Sequence, residues 1–318
     1  MTDKLLNSYD VVVAGGGAAG LNGALMLARS RRSVVVIDAG DPRNTPASGV
    51  HGLLGREGMP PAELLALGRA EVRQYGGHVV QGEIASARRE EESGGFVVTL
   101  ADGRSVRARR LLVTTGLSDE LPAIPGLRER FGRDVLHCPY CHGWEVRDQA
   151  IGILASGPMS MHQALLFRQL SADVVYFTHT AAPLTDEERA QLAARGVRVE
   201  AGEVTGLEVT GDRLSGVRLA DGRVVAREAL AVATRMVARA GFLDGLGLKA
   251  VEHPMGVGEH IPVDAAGRTE VAGVWAAGNV SDLMAQVGAS AAAGAAAGAQ
   301  INADLVMAET REAVAALG

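Results

Sequence analysis

A Val-rich run, Tyr9–Ala14, ends in Gly15-Gly-Gly17-Ala-Ala-Gly20 and leads into a stretch of helical composition, Leu21–Ser30. Ser33-Val-Val-Val-Ile37 follows as a second apolar strand and stops at Asp38. Strand, G-x-G-x-x-G, helix, strand and acid, at this spacing, predict a βαβ unit that binds a dinucleotide. Gly15 makes the tight turn, Gly17 allows close approach of a pyrophosphate, and Gly20 lets the helix pack on the strand. The helix N-terminus supplies N–H groups and a positive dipole end to the phosphates. Asp38 is placed to accept from a ribose hydroxyl, and it also opens the turn Asp-Ala-Gly-Asp-Pro; the two roles are compatible.

The remaining composition narrows the classes of function. At 318 residues and 47% hydrophobic, the chain suits two ordinary domains with real cores. A net charge of −6 and 3% aromatics leave neither a basic footprint nor stacking platforms for nucleic acid. The apolar core at the N-terminus is too short for a signal peptide, and its glycines fall where a phosphate loop needs them. Val287–Ala299 is long and uncharged, but Ala and Gly dominate it, which suits close helix packing rather than lipid. No membrane is expected, and the reading is a soluble, cytoplasmic protein.

Beyond a Gly- and Pro-containing loop, Asp41–Pro60, a helix is expected over Ala62–Tyr75 with Leu64, Leu67 and Val72 on one face. Short strands follow over Gly76–Leu111, with turns at Ser93-Gly-Gly and Asp102-Gly. Arg110–Gly116 reads as a buried strand running into a glycine turn, and Pro122–Gly126 as a crossover linker. A second βαβ unit covers Ile151–Leu154, Ser160–Leu170 and Val174–Phe177. Its loop, Ala155-Ser-Gly157-Pro-Met-Ser160, keeps only the middle glycine, and Thr178-His-Thr-Ala-Ala brings no arginine for a 2′-phosphate. This second nucleotide site reads as degraded. A strand-rich segment closes the unit at Val232, and from about Gly241 the chain returns to the first domain. There Thr269–Asn279 forms a turn and strand, and an Ala/Gly-rich helix over Gln286–Ile301 meets a cofactor with its end. The expected fold class is α/β, with two Rossmann-like dinucleotide-binding domains in a three-layer ββα arrangement. Residues 1–117 and 242–318 form one discontinuous domain, and 118–241 an inserted one.

The chain's only two cysteines lie in His137-Cys-Pro-Tyr-Cys-His-Gly-Trp-Glu145. Cys138 and Cys141 are spaced to close a small disulfide ring, and the same geometry depresses a thiol pKa. Four readings compete: a redox-active dithiol, c-type haem attachment through C-x-x-C-H, a zinc site with His137 and His142, and two inert buried thiols. Haem attachment goes with export, and zinc usually draws on a second, distal ligand pair. The dinucleotide framework around the motif favours the dithiol.

In the order Gly15–Gly20, Thr114-Thr-Gly116, Cys138–Cys141 and Ala276-Ala-Gly278, the whole chain resembles the low-molecular-weight thioredoxin reductases. These are small FAD-dependent pyridine nucleotide–disulfide oxidoreductases. The resemblance implies FAD held by the first and last segments, NADPH by the inserted domain, a Cys-x-x-Cys facing the flavin, and a homodimer. Three departures stand out. His142 replaces the general-acid Asp after the second cysteine. Asn279 replaces the Asp of Ala-Ala-Gly-Asp. The NADPH glycines and the His-Arg-Arg that grips the 2′-phosphate are absent, which makes NADPH doubtful. Cys-x-x-Cys-His-Gly followed by an aromatic residue and Glu is similar to a branch that includes the dithiol oxidases of gliotoxin and holomycin formation, which use FAD and oxygen.

This resemblance implies an FAD-dependent thiol–disulfide oxidoreductase that closes a small-molecule dithiol, with O2 as acceptor. The substrate attacks Cys138, and Cys141 is the flavin-facing sulfur. His142 or His137 serves as base toward the incoming thiol; for either, a structural hydrogen bond is the competing role. Candidate cofactor contacts are Gly15, Gly17, Ala18, Ala19, Gly20, Asp38, Arg43, Thr115, Gly116, Gly278, Asn279 and Gln286, with no metal ligand. Asn279 can hydrogen-bond the ribityl or phosphate region without charge. Substrate walls are expected from Ser48–Gly58 and the Trp144 region. Two other readings are an NADPH-dependent thioredoxin or disulfide reductase with a divergent nucleotide site, and a redox-sensing flavoprotein without turnover.

Overall fold

The computed structural model describes residues 2–90 and 94–317, so Ser93 of the expected Ser93-Gly-Gly turn lies outside the described residues. The chain opens with β1 (Ser8–Ala14), α1 (Ala18–Arg29) and β2 (Val34–Asp38). After α2 (Pro61–Gln74) come β3 (His78–Gln81), β4 (Ile84–Arg89), β5 (Phe96–Leu100) and the long β6 (Ser105–Val113). Next are β7 (Leu117–Glu120), α3 (Leu127–Arg130), β8 (Val135–Leu136) and the one-turn α4 (Pro139–His142). The second βαβ unit is β9 (Ile151–Leu154), α5 (Ser160–Leu170) and β10 (Val174–Phe177), with α6 (Asp186–Ala194) and β11 (Arg198–Glu200) behind it. Strands β12 (Val204–Thr210), β13 (Arg213–Leu219), β14 (Val224–Val225), β15 (Ala229–Val232) and β16 (Arg235–Ala238) follow. The chain closes through β17 (Val251–Glu252), β18 (Gly258–His260), β19 (Val274–Ala276) and α7 (Val287–Ala315).

The first sheet runs β3-β2-β1-β6-β5-β4. Its β6 changes partner along its length. Residues 105–108 pair antiparallel with β5, and Leu111–Val113 pair parallel with β19. That exchange brings the C-terminal segment back beside the first strand. Both faces of the parallel part are covered, which is why β1 is apolar without alternation. Val11 and Val13 pack with Leu21 and Leu27 of α1, whereas Val12 packs with Val35 and Ile37 on the other side.

A second sheet, β11-β10-β9-β15-β8, is parallel throughout. The chain passes between the two sheets on β7 and β16, which pair antiparallel with Asp119 opposite Met236. Helix α1 begins a turn earlier than its composition suggests, directly at Ala18. In α2 the buried residues are Pro61, Leu65 and Val72, while Leu67 is 41% exposed; the expected Leu64, Leu67 and Val72 face is corrected accordingly. The spacing of Leu65 to Val72 is two turns, which a Leu67-centred face does not satisfy.

Helix α7 runs well past Ile301, held by Arg32 and Arg109 on Glu309 and by Arg110 on Asp304. Its glycines pack against α1. A Cβ on Gly294 would lie 1.9 Å from the Ala19 carbonyl oxygen, and one on Gly298 would lie 2.6 Å from that of Gly23. The small residues of α7 thus answer to helix–helix contact, and only its first turn borders a cleft.

Candidate active site

That cleft, about 1170 Å³, runs from the Gly15–Ala19 turn to the two cysteines. Gly15 adopts φ +102°, and a Cβ on it would lie 2.5 Å from the Thr114 carbonyl oxygen. A Cβ on Gly20 would lie 1.9 Å from the Gly15 carbonyl oxygen. Gly17 differs, because nothing lies within 4 Å of where its Cβ would stand. It is the N-cap of α1, and no side chain caps the first-turn N–H groups. An open glycine at an uncapped helix start, bordering a large cleft, fits the pyrophosphate of a dinucleotide.

Most of the other expected cofactor contacts line the same space, and several are already engaged. Asp38 Oδ1 accepts from the amides of Gly16 and Gly40, both at 3.2 Å, so its turn role is visible beside its place in the cleft. Thr115 Oγ1 donates to the Arg239 carbonyl at 2.6 Å, and Gly116 takes φ +70°. The amide nitrogen of Asn279 donates to the carbonyls of Asp282, Leu283 and Ala285, which leaves its oxygen for a ligand. Gln286 is the N-cap of α7 and uses no side-chain cap bond, and Gly278 stands at φ +75° beside Ala19. Arg43 turns its fork onto Asp119, at 2.6 and 2.7 Å.

Cys138 and Cys141 form a disulfide at one end of the cleft. Cys138 is the N-cap of α4, its sulfur accepting from the Cys141 amide at 3.2 Å, and Pro139 pre-sets the first helical position. A Cβ on Gly143 would lie 2.2 Å from the Pro139 carbonyl oxygen and 2.3 Å from Leu170, so glycine lets α4 seat on α5. His142, in the last turn, is pressed below the usual imidazole range by burial, opposed by Glu145 and aided by His51. Its Nε2 is buried without a hydrogen-bond partner.

His51 is a neighbour that the motif alone does not reveal. Its Nδ1 lies 2.6 Å from Glu57 and its Nε2 3.4 Å from Glu145. The loop expected to wall the site therefore reaches the cysteine segment through the His51–Glu145 contact. His137 lines the same cleft, with Nδ1 3.2 Å from the Val232 carbonyl and 3.3 Å from Thr234 Oγ1. Burial also lowers its pKa, with Arg43 acting in the same direction and Asp119 against it.

A family model described as pyridine nucleotide-disulphide oxidoreductase matches residues 9–298. The chain belongs to this family. It is an oxidoreductase of the thioredoxin-reductase-like kind. The crystal structure of HlmI superposes with a TM-score of 0.92 at 47% identity, over 99% of this chain and 98% of that one. Thioredoxin reductase tcpT of Claviceps purpurea is 29% identical over 88% of this chain and 89% of its own length. A probable thioredoxin reductase of Arthroderma benhamiae is 34% identical over 54% of this chain, and that match spans 44% of the fungal protein.

Within a family named for a pyridine nucleotide, the second βαβ loop is closed upon itself. Ser160 Oγ, on a residue only 1% exposed, accepts from the amides of Ser156 and Gly157 at 3.1 and 3.2 Å. The next residue back, Met159, packs onto the apolar cluster of Leu117, Met236, Val257 and Leu283. After β10, His179 Nδ1 accepts from the Val204 amide at 3.0 Å. Among the described residues no three of His, Cys, Asp and Glu converge as a metal site, and no helix is long and apolar enough to cross a membrane.

Proposed function

We propose that the protein oxidises a small-molecule dithiol to its disulfide through Cys138–Cys141, with FAD as cofactor and O2 as the final acceptor. The observation that carries this reading is the pairing of a disulfide in the dinucleotide cleft with a second nucleotide loop whose amides are capped by Ser160. One substrate thiol loses its proton and attacks Cys138 Sγ, and Cys141 leaves as thiolate. The second substrate thiol then displaces Cys138 and releases the cyclic product. Two electrons stay on the cysteine pair, and the two protons pass to neighbouring bases. FAD would be held by Gly15–Gly20, Asp38, Thr115–Gly116, Gly278–Asn279 and Gln286, and would supply a two-electron acceptor for the pair, with O2 as terminal acceptor and hydrogen peroxide as co-product.

Half-buried His137 and His142, their pKa values lowered chiefly by desolvation, stay neutral near pH 7 and are the proton acceptors at hand. The reading includes a cytoplasmic homodimer, resting on the family resemblance. It also includes the division of residues 1–117 and 242–318 from 118–241, which the crossing strands β7 and β16 support.

The relatives' thioredoxin reductase names favour one rival, an NADPH-dependent disulfide reductase. The test mixes holoenzyme with dithiothreitol in air, without nicotinamide, and follows oxygen uptake and peroxide. An anaerobic run adds NADPH and follows flavin absorbance. Oxygen uptake in step with thiol loss supports the oxidase; its absence, with rapid bleaching by NADPH, establishes the reductase. Failure of both leaves the sensor.

A further inference from the structure

We infer that Asp119 and Thr234 are positioning residues that hold His137 as its Nδ1–H tautomer, leaving the lone pair on Nε2 to take the substrate's thiol proton. The inference rests on the dithiol-oxidase reading and names how one of its bases is prepared.

The chain of donors runs in one direction. Arg43 gives two N–H bonds to the Asp119 carboxylate, whose side chain is 6% exposed. Burial pushes that carboxyl up, but the Arg43 and Thr234 bonds outweigh it and keep it ionised. A carboxylate can only accept, so the single hydroxyl proton of Thr234 is committed to Asp119, at 2.5 Å. Thr234 Oγ1 therefore meets His137 Nδ1, 3.3 Å away, with a lone pair. The other neighbour of Nδ1, the Val232 carbonyl at 3.2 Å, is an acceptor as well. Two acceptors on one ring nitrogen require a proton there. In a neutral imidazole the other nitrogen, Nε2, is then the base.

The backbone around the ring is fixed too. Gln163 Nε2 donates to the His137 carbonyl at 2.7 Å and to that of Val232 at 3.4 Å. The relay exists because β7 and β16 pair in one register. Asp119 stands opposite Met236, and Thr234 lies two residues before it. The charged groups that bear on His137 are Asp119, from β7, and Arg43, from the loop after β2; together they add little net charge. In the reaction the substrate S–H proton moves to Nε2 as its sulfur bonds Cys138 Sγ. The Cys138–Cys141 bond breaks, and its electron pair leaves on Cys141. His142, whose Nε2 has no partner, lacks such a relay.

The test begins with oxidised protein carrying 15N-histidine, without substrate, read by long-range proton–nitrogen correlation; His137→Gln assigns the signal. The expected result is a neutral ring protonated at Nδ1 at pH 7. In Asp119→Asn the side-chain amide can donate to Thr234, whose hydroxyl then turns to Nδ1. The tautomer should become mixed, kcat/KM for dithiothreitol should fall on the order of tenfold or more, and the acid limb of the pH profile should move. Thr234→Val should lose rate as well, and Thr234→Ser should restore both tautomer and rate. A wild-type ring protonated at Nε2 overturns the inference even if no variant folds. So do variants whose tautomer and pH profile match wild type. A wild-type protein with the expected tautomer but no dithiol turnover in air refutes the oxidase reading instead, and leaves the tautomer assignment standing.

Discussion

The Ser160 hydroxyl oxygen accepts from the backbone amide of Gly157 at 3.2 Å, closing the turn at which a nucleotide-binding loop presents its amides to pyrophosphate. The same oxygen holds the Ser156 amide, and Met159 between them is seated on an apolar cluster. Ser160→Ala therefore leaves two amides uncapped, a loss of about 1–3 kcal/mol. Thermal unfolding should show the loss. Anaerobic NADPH titration of the same variant should still fail to bleach the flavin, because Met159 and the missing arginines are unchanged. Fast bleaching would show that the cap alone excluded the nucleotide.

Gly17 and Gly20 differ in what a methyl group would meet. Gly20→Ala drives a methyl into the Gly15 carbonyl, backbone against backbone, at a cost of about 3 kcal/mol or more. Gly17→Ala meets nothing in the protein. The expectation is a poorly folding Gly20 variant and a Gly17 variant with a wild-type melting curve when cofactor-free, but with weakened FAD retention. Equal FAD retention in Gly17→Ala and wild type would remove Gly17 from the cofactor site.

Cys138→Ser and Cys141→Ser should both abolish dithiol turnover, yet differ in what they trap. With Cys141 gone, a substrate thiol joined to Cys138 has no internal thiolate to displace it. Mass spectrometry after reaction with an activated aryl disulfide should find a lasting adduct on Cys138 in Cys141→Ser. A long-lived adduct found only on Cys141, in Cys138→Ser, would exchange the two roles.

Burial lowers the pKa of both His137 and His142, so the neutral base persists below the ordinary imidazole value of 6.5. The acid limb of kcat/KM for dithiol oxidation should therefore lie below pH 6.5; a limb above it would contradict a base whose pKa desolvation depresses. Stability carries the same sign. Above 6.5 folded and unfolded imidazoles are both neutral, and below it the unfolded chain takes up protons that the folded rings resist. Folding should weaken as pH falls from 6.5 toward the depressed folded values.

Glu309 is held down to about 2 by its bonds to Arg32 and Arg109. Its contribution is complete above the ordinary carboxyl value of 4.5 and is lost as pH falls toward about 2. Hydrogen exchange in the last turns of α7 should accelerate over that window, and Glu309→Gln should show the faster exchange already at pH 7. Unchanged exchange in the variant would mean that packing alone holds this end.

Local spacing in residues 9–38 and 137–145 was enough to determine the α/β class, the first βαβ glycine turn and the disulfide pair. A turn, a helix start and a Cys-x-x-Cys ring are set by neighbours within a few residues, and their composition reports them. The loss of the fingerprint glycines and of the arginines from the second βαβ loop was also legible, since residue types need no coordinates. Contacts across long separations were decided by tertiary structure alone. Sheet register sets Thr234 against Asp119, and the fold of a surface loop sets His51 against Glu145. Neither pair has a sequence signature, because each side chain is an ordinary loop or strand residue until its partner arrives. Arg43 and Asn279 carry the same lesson: residue type marked both as polar groups near a cofactor, but packing decided that Arg43 grips Asp119 and that Asn279 ties down its own loop. Hydrogen-bonding capacity belongs to the residue, whereas the partner that takes it up depends on which backbone and side chains folding brings within about 3 Å.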